Sequence, residues 1–93
     1  MNELEIFYQA GCPYCRHARR AEEELMEENP LYKTLPVRWI EENQEAELAN
    51  SRDYYYVPTI YLKGEKFYEA RRSDSFDEIK ANLKAAFDEA LVG

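Results

Sequence analysis

The chain has 93 residues, of which 45% are hydrophobic and 14% aromatic, a composition typical of one folded globular domain and not of a disordered segment. Its net charge of −7 argues against nucleic acid and anionic membrane as partners. No apolar run approaches a membrane span, and the N-terminal residues Met1–Glu3 carry neither a basic region nor an apolar signal core. We therefore expect a single domain over residues 1–93 that works as a monomer in a reducing cytoplasm.

A short apolar run near the N-terminus leads directly into both cysteines of the protein. Leu4, Ile6 and Tyr8 recur with the period of two that predicts a β-strand. The same alternation places Phe7 on the other face. The stretch Gly11-Cys12-Pro13-Tyr14-Cys15 follows, and a C-x-x-C pair between a strand and a helix is typical of a redox site.

The spacing of the two cysteines predicts different roles for them. Pro13 suits the first turn of a helix, where its missing N–H group is no loss. Cys12 then lies at the helix N-terminus, where unpaired N–H groups and the helix dipole favour the thiolate. Cys15, one turn further on, is expected to lie deeper on the same side, from where it can attack a mixed disulfide formed on Cys12.

Two other interpretations of the pair remain open. A structural disulfide across two residues would constrain the unfolded chain little. A structural zinc site usually needs four ligands. The chain offers only two cysteines and His17, its single histidine, so we predict no metal site. His17 is either a proton shuttle near the cysteines or an ordinary exposed helix residue.

The first helix is predicted from about Pro13 to Glu28. The residues at helical spacing that should face the core are Ala18, Ala21, Leu25 and Met26. Three arginines crowd its N-terminal half: Arg16, Arg19 and Arg20. One interpretation is that the three arginines create a positive potential near Cys12. The other is that they lie on a solvent-exposed face of the helix, where Arg19 and Arg20 form ion pairs with Glu23 and Glu24, four residues later in the chain.

The middle of the chain predicts a strand, a short helix and another strand. Asn29-Pro30 ends the first helix, and a loop leads into a strand over Pro36–Ile40. Residues Glu42–Asn50 predict a short acidic helix. After the tyrosine run of residues 54–56, which either walls a substrate groove or packs within a loop, Thr59–Leu62 predicts a buried strand.

The C-terminal part predicts a hairpin and a helix. Lys63–Lys66 forms the turn, with Gly64 supplying a positive φ, and Phe67–Ala70 is the returning strand. The last helix has apolar residues at steps of three and four: Phe76, Ile79, Leu83, Phe87, Ala90 and Leu91. Ser75 and Glu78 form a candidate capping box, although Ser73 or Asp74 could cap instead. The predicted order is β-α-β-α-β-β-α.

The Cys-Pro-Tyr-Cys tetrapeptide, followed by Val57-Pro58 ahead of a strand and a hairpin, resembles the glutaredoxins over nearly the whole chain. The resemblance implies an α/β, thioredoxin-like fold with a mixed four-stranded sheet and flanking helices. It implies that Cys12 is the nucleophile and Cys15 the resolving thiol. It also implies that Pro58 follows a cis peptide bond and that the backbone of Val57 pairs with the cysteinyl unit of the substrate.

The same resemblance implies glutathione as a co-substrate and disulfide-bearing proteins as partners. The residues that it assigns to glutathione binding are Tyr14, Val57, Pro58, Arg72, Ser73 and Asp74. The chain departs from the family pattern in two places: Gln9 stands where many members have a basic residue, and Arg71-Arg72 replaces a glycine pair. Three functions therefore remain open: a glutathione-linked oxidoreductase, a thioredoxin-like protein fed by a flavoprotein such as thioredoxin reductase, and a non-catalytic metal carrier or binding module.

Overall fold

The computed structural model describes residues 3–92. Met1, Asn2 and Gly93 lie outside the described residues, and with them lie the ends of the predicted domain and part of the N-terminal stretch that was not expected to be a signal. The elements are β1 (Leu4–Tyr8), α1 (Pro13–Glu28), β2 (Val37–Glu41), α2 (Ala46–Asn50), β3 (Thr59–Leu62), β4 (Glu65–Glu69) and α3 (Phe76–Val92). A short 3₁₀ helix, Pro30–Thr34, lies in the predicted loop between α1 and β2. The predicted order of elements is confirmed.

The four strands form one mixed sheet in the order β2-β1-β3-β4. Strand β1 runs parallel to β2, with Tyr8 opposite Glu41 at their carboxyl ends. Strand β3 is antiparallel to both β1 and β4. The parallel pair needs a long crossover, which α1 supplies. The predicted α/β class and mixed four-stranded sheet are confirmed.

The core occupies both faces of the sheet. Helices α1 and α3 contact each other and cover one face. The buried residues on that side include Leu4, Ile6, Ala21, Leu25, Ile60, Leu62, Leu83 and Phe87. On the other face, near α2, a smaller cluster contains Phe7, Ile40, Ala49 and Tyr61. Because β1 lies between β2 and β3 and is covered on both sides, the loop that follows it starts from a rigid base.

Strand β1 is buried more completely than a simple alternation predicts. Phe7 has no exposed surface, whereas Tyr8 is only half-buried. The Phe7 ring packs against Tyr54 and Tyr61, with ring centroids 5.3 and 5.6 Å apart. A strand covered on both faces carries apolar residues at consecutive positions, so its period of two is incomplete.

The predicted helix over Glu42–Asn50 is shorter in the structure and spans only Ala46–Asn50. The cause is the buried carboxylate of Glu41. It accepts hydrogen bonds from the backbone N–H groups of Asn43 (2.5 Å) and Gln44 (3.2 Å). These bonds fold residues 42–45 into turns directly after β2, so the helix begins later.

The hairpin turn is also tighter than predicted. Lys63 and Gly64 both have positive φ, 56° and 80°, as a two-residue type I′ turn requires. Strand β4 therefore begins at Glu65 and not at Phe67.

A capping box fixes the start of α3. The Ser75 N–H group donates to Glu78 Oε1 (3.1 Å), and the Glu78 N–H group donates to Ser75 Oγ (3.2 Å). The predicted pairing is confirmed, and the alternatives Ser73 and Asp74 do not fill this role.

Candidate active site

The two cysteines lie at the N-terminus of α1, and neither forms a disulfide. Cys12 is the residue that precedes the helix and has extended backbone angles, φ −77° and ψ 124°. Its carbonyl oxygen accepts the first helical hydrogen bond, from the Arg16 N–H group at 3.1 Å. Gly11, with φ +83°, lets the chain turn from β1 into this position. Cys12 is half-buried, whereas Cys15 has only 3% of its surface exposed.

The environment of Cys15 keeps its thiol protonated. Burial raises the pKa of the Cys15 thiol to about 12, against an opposing backbone hydrogen bond at Gln9. The neighbouring Cys12 side chain and the Glu42 charge raise this pKa further. A buried, neutral thiol reacts slowly with molecules in solution, and Cys12 is the more exposed of the two cysteines.

A cleft of about 370 Å³ opens beside Cys12. The residues that line it are Gln9, Cys12, Tyr14, Glu42, Tyr55, Tyr56, Val57, Ala70, Arg71 and Arg72. The structure thus places four of the predicted site residues together: Cys12, Tyr14, Val57 and Arg72. Pro58 lies buried behind them, and the Val57-Pro58 peptide bond is cis, as the resemblance implied.

Tyr14 connects the cysteine loop to the segment before α3. Its hydroxyl group donates a 2.6 Å hydrogen bond to the carbonyl oxygen of Arg72. This contact joins residues that are 58 positions apart in the chain. It holds the backbone of Arg72 against the cleft while the guanidinium group remains exposed.

Ser73 and Asp74, the two remaining residues predicted to bind glutathione, do not line the cleft at Cys12. Ser73 is exposed and lines none of the cavities around the site. Asp74 lines a larger groove next to the cleft, where its Oδ2 accepts hydrogen bonds from the Tyr68 hydroxyl (2.5 Å) and the Arg71 N–H group (3.0 Å). Both bonds lower the pKa of the Asp74 carboxyl group, so it is a charged group already engaged by its own chain.

The three arginines of α1 have three different surroundings. Arg16 donates to the carbonyl oxygen of Gly11 (3.1 Å), next to Cys12. Arg19 lies over the Trp39 ring, 4.1 Å from its centroid. Arg20 pairs with Glu24 at 3.3 Å and so follows the predicted spacing of four residues. Arg16 is therefore the arginine of this helix that lies nearest to the redox loop.

A second groove, of about 340 Å³, lies on the other side of the cysteine loop. It is lined by residues of that loop and of α1: Tyr8, Gln9, Ala10, Gly11, Cys12, Cys15, Arg16, Arg19, Arg20 and Glu23. Cys12 borders both spaces and Cys15 borders only this one. Cys12 is therefore open to solvent from two sides of the cysteine loop.

His17 is not the ordinary exposed helix residue of one prediction, and the alternative role as a proton shuttle stays a prediction. It is half-buried, and its ring packs edge-on against Phe76 of α3, with centroids 5.8 Å apart. Its Nδ1 is buried and has no hydrogen-bond partner among residues 3–92. Its ring therefore contributes to the α1–α3 contact.

The tyrosine run divides between the two roles that the sequence left open. Tyr54 packs in the core beside Phe7, and its hydroxyl group donates to Glu42 Oε1 at 2.8 Å. Tyr55 and Tyr56 are exposed and wall the cleft. The sequence interpretation missed Glu42, which follows β2. A signal was present, because the carboxyl ends of neighbouring parallel strands meet at one edge of the sheet, where sites form.

Neither a metal cluster nor a membrane span occurs in the described part of the chain. No three or more His, Cys, Asp and Glu side chains within residues 3–92 are grouped so that they could hold a metal ion. No helix in the same range is long and apolar enough to cross a membrane.

No protein-family model matches the chain, and no curated protein sequence matches it significantly. Solved structures do match. A malarial protein is 16% identical, with 92% of this chain and 97% of that chain covered and a TM-score of 0.63. Thioredoxin 1 from Thermosipho africanus is 13% identical, with 96% and 98% covered and a TM-score of 0.60.

Two further solved structures also match the fold of this chain. A mutant thioredoxin from Halobacterium salinarum is 23% identical, with 92% of this chain and 74% of that chain covered and a TM-score of 0.59. The zinc-bound form of human ERp44 is 18% identical over 96% of this chain, which spans only 26% of that protein, with a TM-score of 0.57. At such identities the likeness concerns the backbone, and the chain therefore has a thioredoxin-like fold.

Proposed function

We propose that this protein is a thiol–disulfide oxidoreductase in which Cys12 attacks and Cys15 resolves. The observation that supports this most strongly is the pairing of a half-buried cysteine at a helix N-terminus, open to a cleft, with a buried cysteine one turn behind it. The more exposed sulfur can reach a substrate, and the buried one lies within hydrogen-bond reach of the Cys12 side chain, from where it can resolve a mixed disulfide.

The reaction transfers two electrons from the protein dithiol to a substrate disulfide. The Cys12 thiolate attacks one sulfur of the substrate, forms a mixed disulfide and releases the other sulfur as a thiolate, which takes a proton from solvent. Cys15 then gives up its proton and attacks the Cys12 sulfur. The Cys12–Cys15 disulfide forms, and the second substrate thiol leaves with a proton.

The test uses two substrates and two variants. Cys12→Ser should abolish reduction of both a small glutathione mixed disulfide and a protein disulfide such as that of insulin. Cys15→Ser should keep much of the activity on the small substrate, because free glutathione can resolve that intermediate, and lose activity on insulin. A Cys12→Ser variant that still reduces either substrate would overturn the assignment of the nucleophile.

The finer proposal is a glutaredoxin-like enzyme that takes its electrons from glutathione. The cleft of about 370 Å³ has the size of a small-molecule site, about 300–1,000 Å³ in proteins generally. Arg71 and Arg72 border it, and neither takes part in an ion pair within the described residues. Their guanidinium groups can bind the two carboxylates of glutathione, a role that the glycine pair of the family cannot fill.

One observation favours the alternative, a thioredoxin-like protein that a flavoprotein reduces. The carboxylate of Asp74, which would bind the amino group of glutathione, is already hydrogen-bonded to Tyr68 and to the Arg71 backbone. Gln9, which also lines the cleft, adds no positive charge there. On this alternative, the two arginines narrow the approach to α3 and bind an acidic protein surface.

Charge removal separates these two possibilities. Arg72→Gln should raise the KM for a glutathione mixed disulfide, and the effect should shrink at high salt, where exposed charges are screened. Lys33→Gln is the matched control, because Lys33 lies on the 3₁₀ helix beyond the far end of α1. If replacement of both arginines by glycine instead tightens glutathione binding, the arginines obstruct the site and the thioredoxin-like alternative is favoured.

A further inference from the structure

Exposed aromatic side chains line the cleft at Cys12 and the groove next to it: Tyr55 lines the cleft, Phe67 lines the groove, and Tyr56 lines both. Within residues 3–92, the exposed large hydrophobic side chains are Leu31, Tyr55, Tyr56, Phe67 and Val92. Three of these, Tyr55, Tyr56 and Phe67, lie on the loop before β3 and on the adjacent strand β4. Tyr55 has 87% of its surface exposed, and Tyr56 and Phe67 have 49% and 39%. We call these three residues the aromatic platform. Grouped exposed apolar residues mark binding surfaces more often than isolated ones do.

The platform lies along a groove that continues the cleft. A groove of about 720 Å³ runs between β4 and the first half of α3, where Phe67 and Asp74 line it. It shares Tyr56, Ala70 and Arg71 with the cleft at Cys12. The combined space is larger than a tripeptide needs and extends away from the sulfur along a strand edge. Its shape suits an extended polypeptide segment better than glutathione alone.

Hydrogen bonds to Glu69 fix the backbone of the two tyrosines of the platform. The N–H groups of Tyr55 and Tyr56 both donate to Glu69 Oε2, each at 2.8 Å. The other oxygen, Oε1, accepts from Lys66 Nζ at 2.9 Å. Lys66 also donates to the carbonyl oxygen of Asp53 (3.0 Å), at the start of the same loop. The rings are thus presented on a fixed backbone, which reduces the entropy lost when a partner binds.

The charges around the platform indicate what kind of segment fits. The Glu69 carboxylate is fully occupied by the loop and by Lys66, so it offers little net charge to a partner. Arg71, where the cleft meets the groove, is exposed and takes part in no ion pair within residues 3–92. Beyond Arg71 the groove is lined by the carboxylates of Asp74 and Glu78. A complementary segment therefore carries an acidic group only next to Arg71, on the side of the cleft, and uncharged apolar side chains opposite the rings.

We propose that the aromatic platform and its groove bind an extended segment of a disulfide-bearing protein substrate. The reacting cysteine of the substrate lies at Cys12, an acidic residue near it contacts Arg71, and an aromatic or branched apolar side chain further along covers the platform. This inference rests on the proposed function and adds the substrate class: protein disulfides flanked by acidic and apolar residues.

A single-turnover assay tests it without an electron donor. Two synthetic peptides carry one cysteine as a mixed disulfide with 2-nitro-5-thiobenzoate, whose release on attack by Cys12 is followed by absorbance. The peptides share an aspartate beside the cysteine and differ only further along, where one has Phe and Leu and the other has two serines. The wild-type protein should react about tenfold faster with the apolar peptide. The reason is that burial of roughly 60 Å² of apolar ring surface by the peptide strengthens binding by about that factor.

Matched variants show whether the platform causes the preference. In Tyr55→Ser/Phe67→Ser the ratio of the two rates should fall to about one, and this ratio cancels any general loss of reactivity. Leu31→Ser/Val92→Ser removes exposed apolar surface elsewhere on the molecule and should leave the ratio unchanged. Equal rates for the two peptides with the wild type, or a preference that survives in the platform variant, would overturn the inference.

Two outcomes separate this inference from its alternatives. If the wild type releases no chromophore from either peptide or from a small mixed disulfide, the proposed function has failed as well. If sedimentation shows a dimer that Tyr55→Ser/Phe67→Ser converts to a monomer, the platform is an interface between copies of the chain, and the substrate proposal is wrong.

Discussion

Raising the pH should destabilise the reduced protein through Cys15. Burial, helped by the neighbouring Cys12 side chain, raises the pKa of the Cys15 thiol from 9.0 to about 12. In the unfolded chain this thiol loses its proton near its ordinary pKa, whereas the folded chain still keeps it. The unfolded state then binds fewer protons than the folded one. The free energy of unfolding rises with pH only where the unfolded state binds more protons than the folded state. It must therefore fall in the pH range between the pKa of Cys15 in the unfolded chain and its pKa in the folded chain.

The size of the effect follows from the two pKa values. Each pH unit within the window is worth about 1.4 kcal/mol for one proton. Between about pH 8 and about pH 10.5 the loss should therefore be about 2 kcal/mol. That is a large part of the stability of about 5–15 kcal/mol typical of small domains.

Denaturant unfolding in the presence of a reductant measures the loss, and Cys15→Ser is the control. The serine hydroxyl does not titrate in this range, so its stability should depend less on pH. Tyr32, Tyr54 and Tyr68 also have a raised pKa and act in the same direction, but they are present in both proteins and cancel in the difference. Parallel pH curves for the wild type and Cys15→Ser would refute the reasoning.

Three further results are expected. Iodoacetamide at neutral pH should modify Cys12 in the native reduced protein and leave the buried cysteine unmodified, which mass spectrometry of peptides can show; equal labelling would contradict the observed burial. Tyr14→Phe should lower the free energy of unfolding by about 1 kcal/mol, because it removes the hydrogen bond to the Arg72 carbonyl, and should raise the KM for small disulfides. Ser75→Ala should cost about 1 kcal/mol in thermal unfolding, whereas Ser73→Ala, outside the capping box, should cost little; similar losses would dispute the cap.

The sequence predicted features of the fold that local chemistry determines. The helix over Pro13–Glu28 has the predicted bounds, because a proline starts it and Asn29-Pro30 ends it. The capping box and the positive φ of Gly64 are likewise local. The errors lie at the ends of elements: the Glu41 carboxylate delays the start of α2, and the two-residue turn at Lys63-Gly64 lets β4 begin early. The strand predicted from Pro36 begins at Val37, since Pro36 contributes only its carbonyl group, to Leu4 across the sheet.

In the candidate site, features within one short segment could be predicted from the sequence, whereas contacts between distant segments could not. The cysteine motif and the cis bond before Pro58 could be named from the sequence, because each lies in a short segment with a known counterpart. The contact of Tyr14 with the Arg72 carbonyl could not, since it joins segments far apart in the chain. The role of Glu69 under the tyrosine loop was equally invisible, because a glutamate on an edge strand has many ordinary uses.

The distribution of charge links the site to its environment. Five cationic side chains within residues 3–92 are in no ion pair: Arg16, Lys33, Lys63, Arg71 and Arg72. Three of them, Arg16, Arg71 and Arg72, border the two grooves on either side of Cys12. Arg19 and Arg20 also line one of these grooves, but each is paired with a glutamate of α1. At physiological salt a charge acts over about 8 Å, so this local positive region is felt only by groups close to the sulfur. The net charge of −7 disfavours acidic macromolecules in general. On the proposed function, we expect the arginines to reverse that preference only where an acidic residue lies next to the substrate disulfide.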